Sequence, residues 1–390
     1  MLLVHGIGDN GVRDWYPVLG ALAASRRVVA VDLPGFGRSS RGNRLYHPVE
    51  YSRFLAHVIR THLGGRADLV GHSLGASVAL GTASMEPTLV RRLALLDAAG
   101  ILCQEALVSE YARGAPARDI WHELITGLSG LAPDPNVLLR SPALRNVFLS
   151  GDPSRIAALA LLATNFDTAV AGVRTPTALI WGRRDTVAPL RTFEVLSRRL
   201  PAVRTLLLDR VGHNPMAERP QVVALELRSF FEDAGPWSSP TSRRPDPDLD
   251  STRSLDCAEQ SGKVYTGRFA RVRLGGCRNL VIRDATIERL EAVSSTLELI
   301  NVSVTEGTVL TESRLRATTS DLKGTPGLSL NGSVADLAGV SVQGVSNAKS
   351  PIARSRVVGS LSRVVVDGAS RGLHGVLDLS PGEELKVDSG

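Results

Sequence analysis

Three residues of the 390-residue chain are of the types that nucleophilic catalysis needs, a serine, an aspartate and a histidine, and each follows a strand-like run. Ser73 stands in Gly71-His72-Ser73-Leu74-Gly75, after the apolar Leu69-Val70 and before the Ala-rich, helix-prone Ala76–Leu80. A strand that turns at once into a helix would hold that hydroxyl clear of the sheet edge, and Cβ atoms at 71 or 75 would crowd the turn. Asp185 follows Thr177-Ala178-Leu179-Ile180-Trp181-Gly182, and His213 follows Thr205-Leu206-Leu207-Leu208. Upstream, Val4-His5-Gly6-Ile7-Gly8-Asp9-Asn10-Gly11 is a Gly-rich loop after a first strand, in which Gly6 and Gly8 let the main chain approach a ligand closely.

The elements that must position these loops alternate. Strands are expected at Met1–Val4, Arg27–Asp32, Asp68–Val70, Leu93–Asp97, 177–182 and 205–208. Helices are expected at 15–23, from His47 to about Leu63 with Gly64-Gly65 as the stop, after Ser73, and over 190–200. This rhythm predicts an α/β unit with a mostly parallel sheet and helices on both faces. Asp32 reads as a loop-fixing acceptor. Between about 98 and 170 the rhythm is lost to short helical stretches that Pro133, Pro135, Pro142 and Pro153 interrupt, as expected of a helical cap over a site. Trp121, Phe148 and Phe166 are its pocket candidates, and cap core is their alternative reading.

With the His5-Gly6 loop, Asp32–Ser39, the Ser73 pentapeptide, Trp181–Asp185 and Gly212-His213 with Glu218 and Pro220 in family order, residues ~1–235 resemble the α/β-hydrolase superfamily. The resemblance implies Ser73 as nucleophile, His213 as general base, and Asp185 as the acid that fixes the imidazole. It also implies an oxyanion hole from the backbone N–H groups of Ile7 and Leu74, supported by His5, Gly6, Gly8, Gly71, His72 and Gly75. Asp97 lies where some family members carry the acid instead. A serine nucleophile leaves ester, thioester, amide, carbon–carbon and perhydrolysis chemistry open, with an ester-like small molecule as the default substrate.

After Phe230-Phe231 the composition changes. Residues 236–254 are rich in Pro, Ser and charge and read as a linker. From 255 to 390 helix signals nearly vanish, and short alternating strands recur at roughly twenty residues per unit, with Tyr265 and Phe269 the only aromatics. An all-β domain is expected, a parallel β-helix resembling pectin-lyase-like solenoids in preference to a β-sandwich. Arg283, Asp284, Glu288 and Arg289 read as a solvated charged face, and carbohydrate is the partner considered for this half.

A net charge of +6 arises from arginines spread among acidic residues, without the basic blocks that nucleic-acid binding calls for. No apolar run is long enough to span a membrane. Cofactor or metal-ligand spacings are absent, so neither is expected. Cys257 and Cys277 either pair, which would mark an oxidising compartment, or remain buried thiols, and Cys103 reads as a small apolar residue. Met1–Val4 already reads as a strand, so earlier strands look to be missing. The cytoplasm is the default expectation for a chain without a leader, with the cell envelope or secretion if the start lies upstream.

Overall fold

The computed structural model describes residues 1–107, 110, 134–232, 253–349 and 354–385. Two compact units divide between Pro240 and Thr241. Trp121 and nearly all of the expected linker lie outside the described residues. Among those residues, no helix is long and apolar enough to cross a membrane.

The first unit is built on a six-stranded sheet, β1 (Leu2–Val4), β2 (Val29–Val31), β3 (Ala67–His72), β4 (Val90–Leu96), β5 (Thr177–Gly182) and β6 (Val203–Leu208). Its order is β2-β1-β3-β4-β5-β6, and every pairing is parallel. All six residues of β3 are buried, as expected of a central strand covered on both faces. The order reverses between β1 and β3, so the loops after them part at a crevice outside the strand ends, where open α/β sheets hold their ligands.

Leu3, Val70, Ala94, Leu96, Ala178 and Ile180 share one core with Val18 and Leu22 of α1 (Tyr16–Ala23) and with Val223, Leu227 and Phe230 of the helix Pro220–Glu232. Helix α2 (Pro48–His62) packs on α3 (Leu74–Met85), the two joined where the Ser52 hydroxyl donates to the Val78 carbonyl at 3.1 Å. His47 caps α2 by accepting from the Val49 N–H, and the residues that follow it, Gly64 and Gly65, both have positive φ.

Four short helices, Pro135–Arg140, Pro142–Leu149, Pro153–Leu162 and Asp167–Gly172, fill the described part of the expected cap. Three of the four prolines read as interruptions instead begin helices, and Pro133 lies outside the described residues. Pro135, Pro142 and Pro153 each stand at a first helical position, where no N–H is needed. Asp134, Ser141 and Asp152 precede them and cap with their side chains. Arg145 ties this segment to the loop after β2, donating from Nε to Asn43 Oδ1 at 2.7 Å.

The second unit is all β, with a thirteen-stranded sheet running from β7 (Ser254–Ala258) to β19 (Ala369–Leu379). Its pairings are parallel, except that β19 returns antiparallel along β18 (Ser355–Val366). Leu280, Leu297, Leu315, Ala335 and Val357 stand in register, at offsets of 17, 18, 20 and 22 residues, and all point into the core. Non-glycine residues with left-handed φ mark the corners, Ser294 and Glu312 at one and Asp284, Asn301 and Thr319 at another. Asp284 therefore belongs to a corner, where it accepts from Asn301 Nδ2 at 2.6 Å.

Just past the first corner runs a ladder of serine hydroxyls. The N–H groups of Cys277, Ser295, Ser313 and Ser333 donate in turn to Oγ of Ser295, Ser313, Ser333 and Ser355, at 3.0 to 3.1 Å. Serines that look like turn punctuation in sequence thus supply internal acceptors that the backbone needs. Cys277 occupies the first position of the ladder and is disulfide-bonded to Cys257, which decides between the two thiol readings. Cys103 is buried in the first unit.

Candidate active site

Three loops at the strand ends bring Ser73, His213 and Asp185 together. Ser73 has φ 55° and ψ −120°, outside the ordinary regions for a non-glycine residue. The elbow is over-determined by close backbone packing. A Cβ on Gly71 would lie 2.2 Å from the Gly75 carbonyl oxygen, and one on Gly75 would lie 2.4 Å from the carbonyl oxygens of Val4 and His5. The Ser73 N–H is held by the Leu96 carbonyl at 2.9 Å.

His213 Nε2 lies 2.9 Å from Ser73 Oγ, and its Nδ1 lies 2.8 Å from Asp185 Oδ2. Asp185 has a fully buried side chain, whereas the His213 ring is 17% exposed. The other carboxylate oxygen of Asp185 accepts from the N–H groups of Val187 and Ala188 at 2.7 and 2.9 Å. Trp181 pins the same turn by donating from Nε1 to the Ala188 carbonyl. The His213 loop is anchored by Glu218, whose carboxylate accepts from the N–H of Gly212 at 3.0 Å and of Asn214 at 3.4 Å.

Gly6 sits against the elbow: a Cβ there would come within 2.9 Å of the Ser73 Cβ. The neighbouring loop is fixed by His5, fully buried, whose Nδ1 lies 2.6 Å from the Gly6 carbonyl and whose Nε2 accepts from the Leu33 N–H at 3.0 Å. Burial pushes its pKa down, so the ring is neutral, as that pair of bonds requires. Gly8 has φ 145°. Among the described residues, the N–H groups of Ile7 and Leu74 donate to no acceptor within the chain. Asp32 closes the floor by accepting from the N–H groups of Val12 and Arg38.

Two side chains expected here, His72 as support for the elbow and Asp97 as an alternative place for the acid, make bonds that the sequence does not show. His72 is buried, and its Nε2 lies 2.6 Å from the His213 carbonyl, so the histidine beside the serine holds the loop of the other histidine. Burial, with the nearby His213 adding to it, pushes the His72 pKa down to about 3. Asp97, just past β4, has φ 46° and accepts from the Gly182 N–H at 2.9 Å. Its pKa is raised well above the usual range, chiefly by burial and then by the charge of Asp185. Of the pocket candidates, Phe166 is buried and Phe148 lies on an exposed helix face.

Among the described residues, one group of metal-ligand type converges, His72, Asp97 and His213, with ligand atoms within 4.8 Å of one another. Both His213 nitrogens already face Ser73 and Asp185, so that ring has no lone pair directed at an ion.

Residues 1–227 match the model of the alpha/beta hydrolase family, and the chain belongs to that family. It is 30% identical, over 240 residues, to the dihydrolipoyllysine-residue acetyltransferase component of the acetoin cleaving system of Pseudomonas putida. That match takes in 59% of this chain and 63% of the relative, so the chain spans less than two thirds of that protein's length. It is 29% identical over 238 residues to the pimeloyl-[acyl-carrier protein] methyl ester esterase of Aeromonas hydrophila, covering 57% of this chain and 91% of that one. A 2-hydroxy-6-oxo-2,4-heptadienoate hydrolase of Pseudomonas putida is 28% identical over 55% of this chain and 82% of its own length. Among solved structures, a bacterial membrane phospholipase A aligns with 27% identity and a TM-score of 0.46, over 59% of this chain and 77% of that chain.

Proposed function

We propose that the first unit is a serine hydrolase that cleaves an ester-like bond in a small molecule through an acyl-enzyme. The unbroken chain Asp185–His213–Ser73, at 2.8 and 2.9 Å, carries this reading. In it, Ser73 Oγ attacks the carbonyl carbon while His213 Nε2 takes its proton. The tetrahedral oxyanion is received by the N–H groups of Ile7 and Leu74, donors each worth ~3 kcal/mol or more in such sites. Collapse expels the alcohol, which leaves with the proton from His213. Water then enters by the same route and releases the acid.

Asp185 holds the proton of His213 on Nδ1, so Nε2 is free to accept. An ester is the substrate class favoured, because a methyl ester esterase stands among the relatives. A 2-hydroxy-6-oxo-2,4-heptadienoate hydrolase stands there as well, and a keto acid as its named substrate favours the second reading, in which the same three residues cleave a carbon–carbon bond next to a ketone.

We read the second unit as a parallel β-solenoid that serves as an accessory module. The in-register offsets of 17 to 22 residues support this. Carbohydrate is its proposed partner class.

The test is Ser73→Ala in the full chain, assayed with p-nitrophenyl esters of graded acyl length and with a fluorophosphonate probe. Ester turnover and labelling should both vanish. Labelling that survives the substitution would remove Ser73 from the nucleophile's place.

A further inference from the structure

The Asp97 carboxyl group is in an unusual position for a residue outside the Ser73–His213–Asp185 chain. Its side chain is fully buried, at a backbone conformation that only a few per cent of non-glycine residues adopt. Oδ1 is satisfied by the Gly182 N–H, but Oδ2 is buried with no donor directed at it. A carboxylate oxygen stranded in this way is costly. The groups facing it are Asp185 from the β5 loop, His213 and Glu218 from the loop and helix after β6, and His72 from the elbow. Two of these are acidic, the His72 ring is neutral, and the His213 nitrogens are engaged by Ser73 and Asp185.

An oxygen with acceptors around it and no donor is relieved by carrying a proton itself. We propose that Asp97 is a positioning residue of the catalytic chain: its carboxyl group is protonated, and its O–H donates to the Asp185 carboxylate. The inference rests on the serine-hydrolase reading of the site. The direction of the Asp97 pKa, raised by burial and by Asp185, agrees with it. Asp185 then has donors on both sides, the Val187 and Ala188 N–H groups at Oδ1 and the Asp97 hydroxyl, so the carboxylate plane is fixed with Oδ2 toward His213. Asp97 touches no reacting atom and acts through Asp185.

The design has a consequence in pH. When Asp97 ionises, a second negative charge is buried beside Asp185 and the donor to it is lost. Asparagine reproduces the neutral acid, since its carbonyl accepts from Gly182 N–H and its amide donates to Asp185, and it cannot ionise. Alanine supplies neither bond.

The experiment compares kcat/KM against pH for the native chain, Asp97→Asn and Asp97→Ala, with p-nitrophenyl acetate as substrate and Ser73→Ala in parallel. Asp97→Ala should lose about 10- to 100-fold at neutral pH, the usual penalty for removing a partner that orients a site carboxylate. Asp97→Asn should recover most of that loss and should lack the inflection that ionisation of Asp97, above the ordinary carboxylate range, gives the native profile. Equal impairment of the two variants, or persistence of that inflection in Asp97→Asn, would overturn the proposal. If Ser73→Ala keeps its activity, the hydrolase reading fails first. If Ser73→Ala is inactive while the Asp97 profiles match the native one, only this inference fails.

Discussion

Replacing Asp185 by asparagine should disable the site without disturbing its shape, and the structure dictates how. Oδ1 of Asp185 accepts two backbone N–H groups, from Val187 and Ala188, at 2.7 and 2.9 Å. An asparagine must keep its carbonyl oxygen there, because an amide NH2 facing two donors would leave all three unpaired. The NH2 is thereby forced into the place of Oδ2, 2.8 Å from His213 Nδ1. Nδ1 must then accept, the ring proton moves to Nε2, and Ser73 Oγ meets a donor where it needs a base. This wrong-tautomer effect costs ~10⁴ in kcat in serine proteases, or about 5.5 kcal/mol of transition-state stabilisation at 1.36 kcal/mol per tenfold. We expect a similar loss here, with KM for p-nitrophenyl acetate changed by no more than about threefold, since the acid contributes no uniform substrate binding. The thermal midpoint should stay within about 5 °C, as the backbone bonds of the turn are retained. An Asp185→Asn enzyme that keeps more than about a tenth of native kcat/KM would refute the assignment of Asp185 as the orienting acid.

Three further outcomes are expected. Gly75→Ala places a methyl 2.4 Å from two backbone carbonyl oxygens of the Val4–His5 segment, so the loop that follows must shift; kcat/KM should fall by about 10²-fold and stability by about 1–3 kcal/mol in urea unfolding. The pair Cys257→Ser/Cys277→Ser opens a crosslink of sequence separation 20, for which chain entropy gives ~3 kcal/mol; it should move the urea midpoint of the second unit down by about 1–3 M and leave esterase activity unchanged. His72, neutral when folded and with a pKa pushed from 6.5 down to about 3, takes up a proton in the unfolded chain first; its stabilisation is therefore complete above pH 6.5 and is lost as the pH falls toward 3, at roughly 1.4 kcal/mol per pH unit. His72→Gln should flatten that part of an acid-unfolding curve, with urea midpoints at several pH values as the measurement.

Residues whose role is local were legible in the sequence. The Gly71–Gly75 pentapeptide carries its own turn, and Asp185 and His213 follow apolar runs that read as strands, so their loops were found before their geometry. Residues whose role depends on a distant neighbour were not. His72 reads only as support for the elbow until the His213 carbonyl arrives 2.6 Å away, and Asp97 only as an alternative place for the acid until Gly182 and Asp185 close over it. Pro135, Pro142 and Pro153 were misread for a different reason: proline ends one helix and begins another with equal ease, and only the capping Asp134, Ser141 and Asp152 tell the two apart. In the second half the period was visible at about twenty residues, but the serine ladder was hidden, because its members drift from 18 to 22 residues apart and resemble turn residues.

That ladder has an implication for how the second half can vary. Each serine hydroxyl receives its bond from the N–H of the rung before it and none from further away, so every rung is specified by its immediate neighbours alone. The offsets between in-register strands grow from 17 to 22 residues while the ladder bonds persist, so extra residues are taken up between the rungs without loss of register. The spacing between rungs is therefore adjustable while the ladder is kept, and the Cys257–Cys277 bond ties its first position to β7.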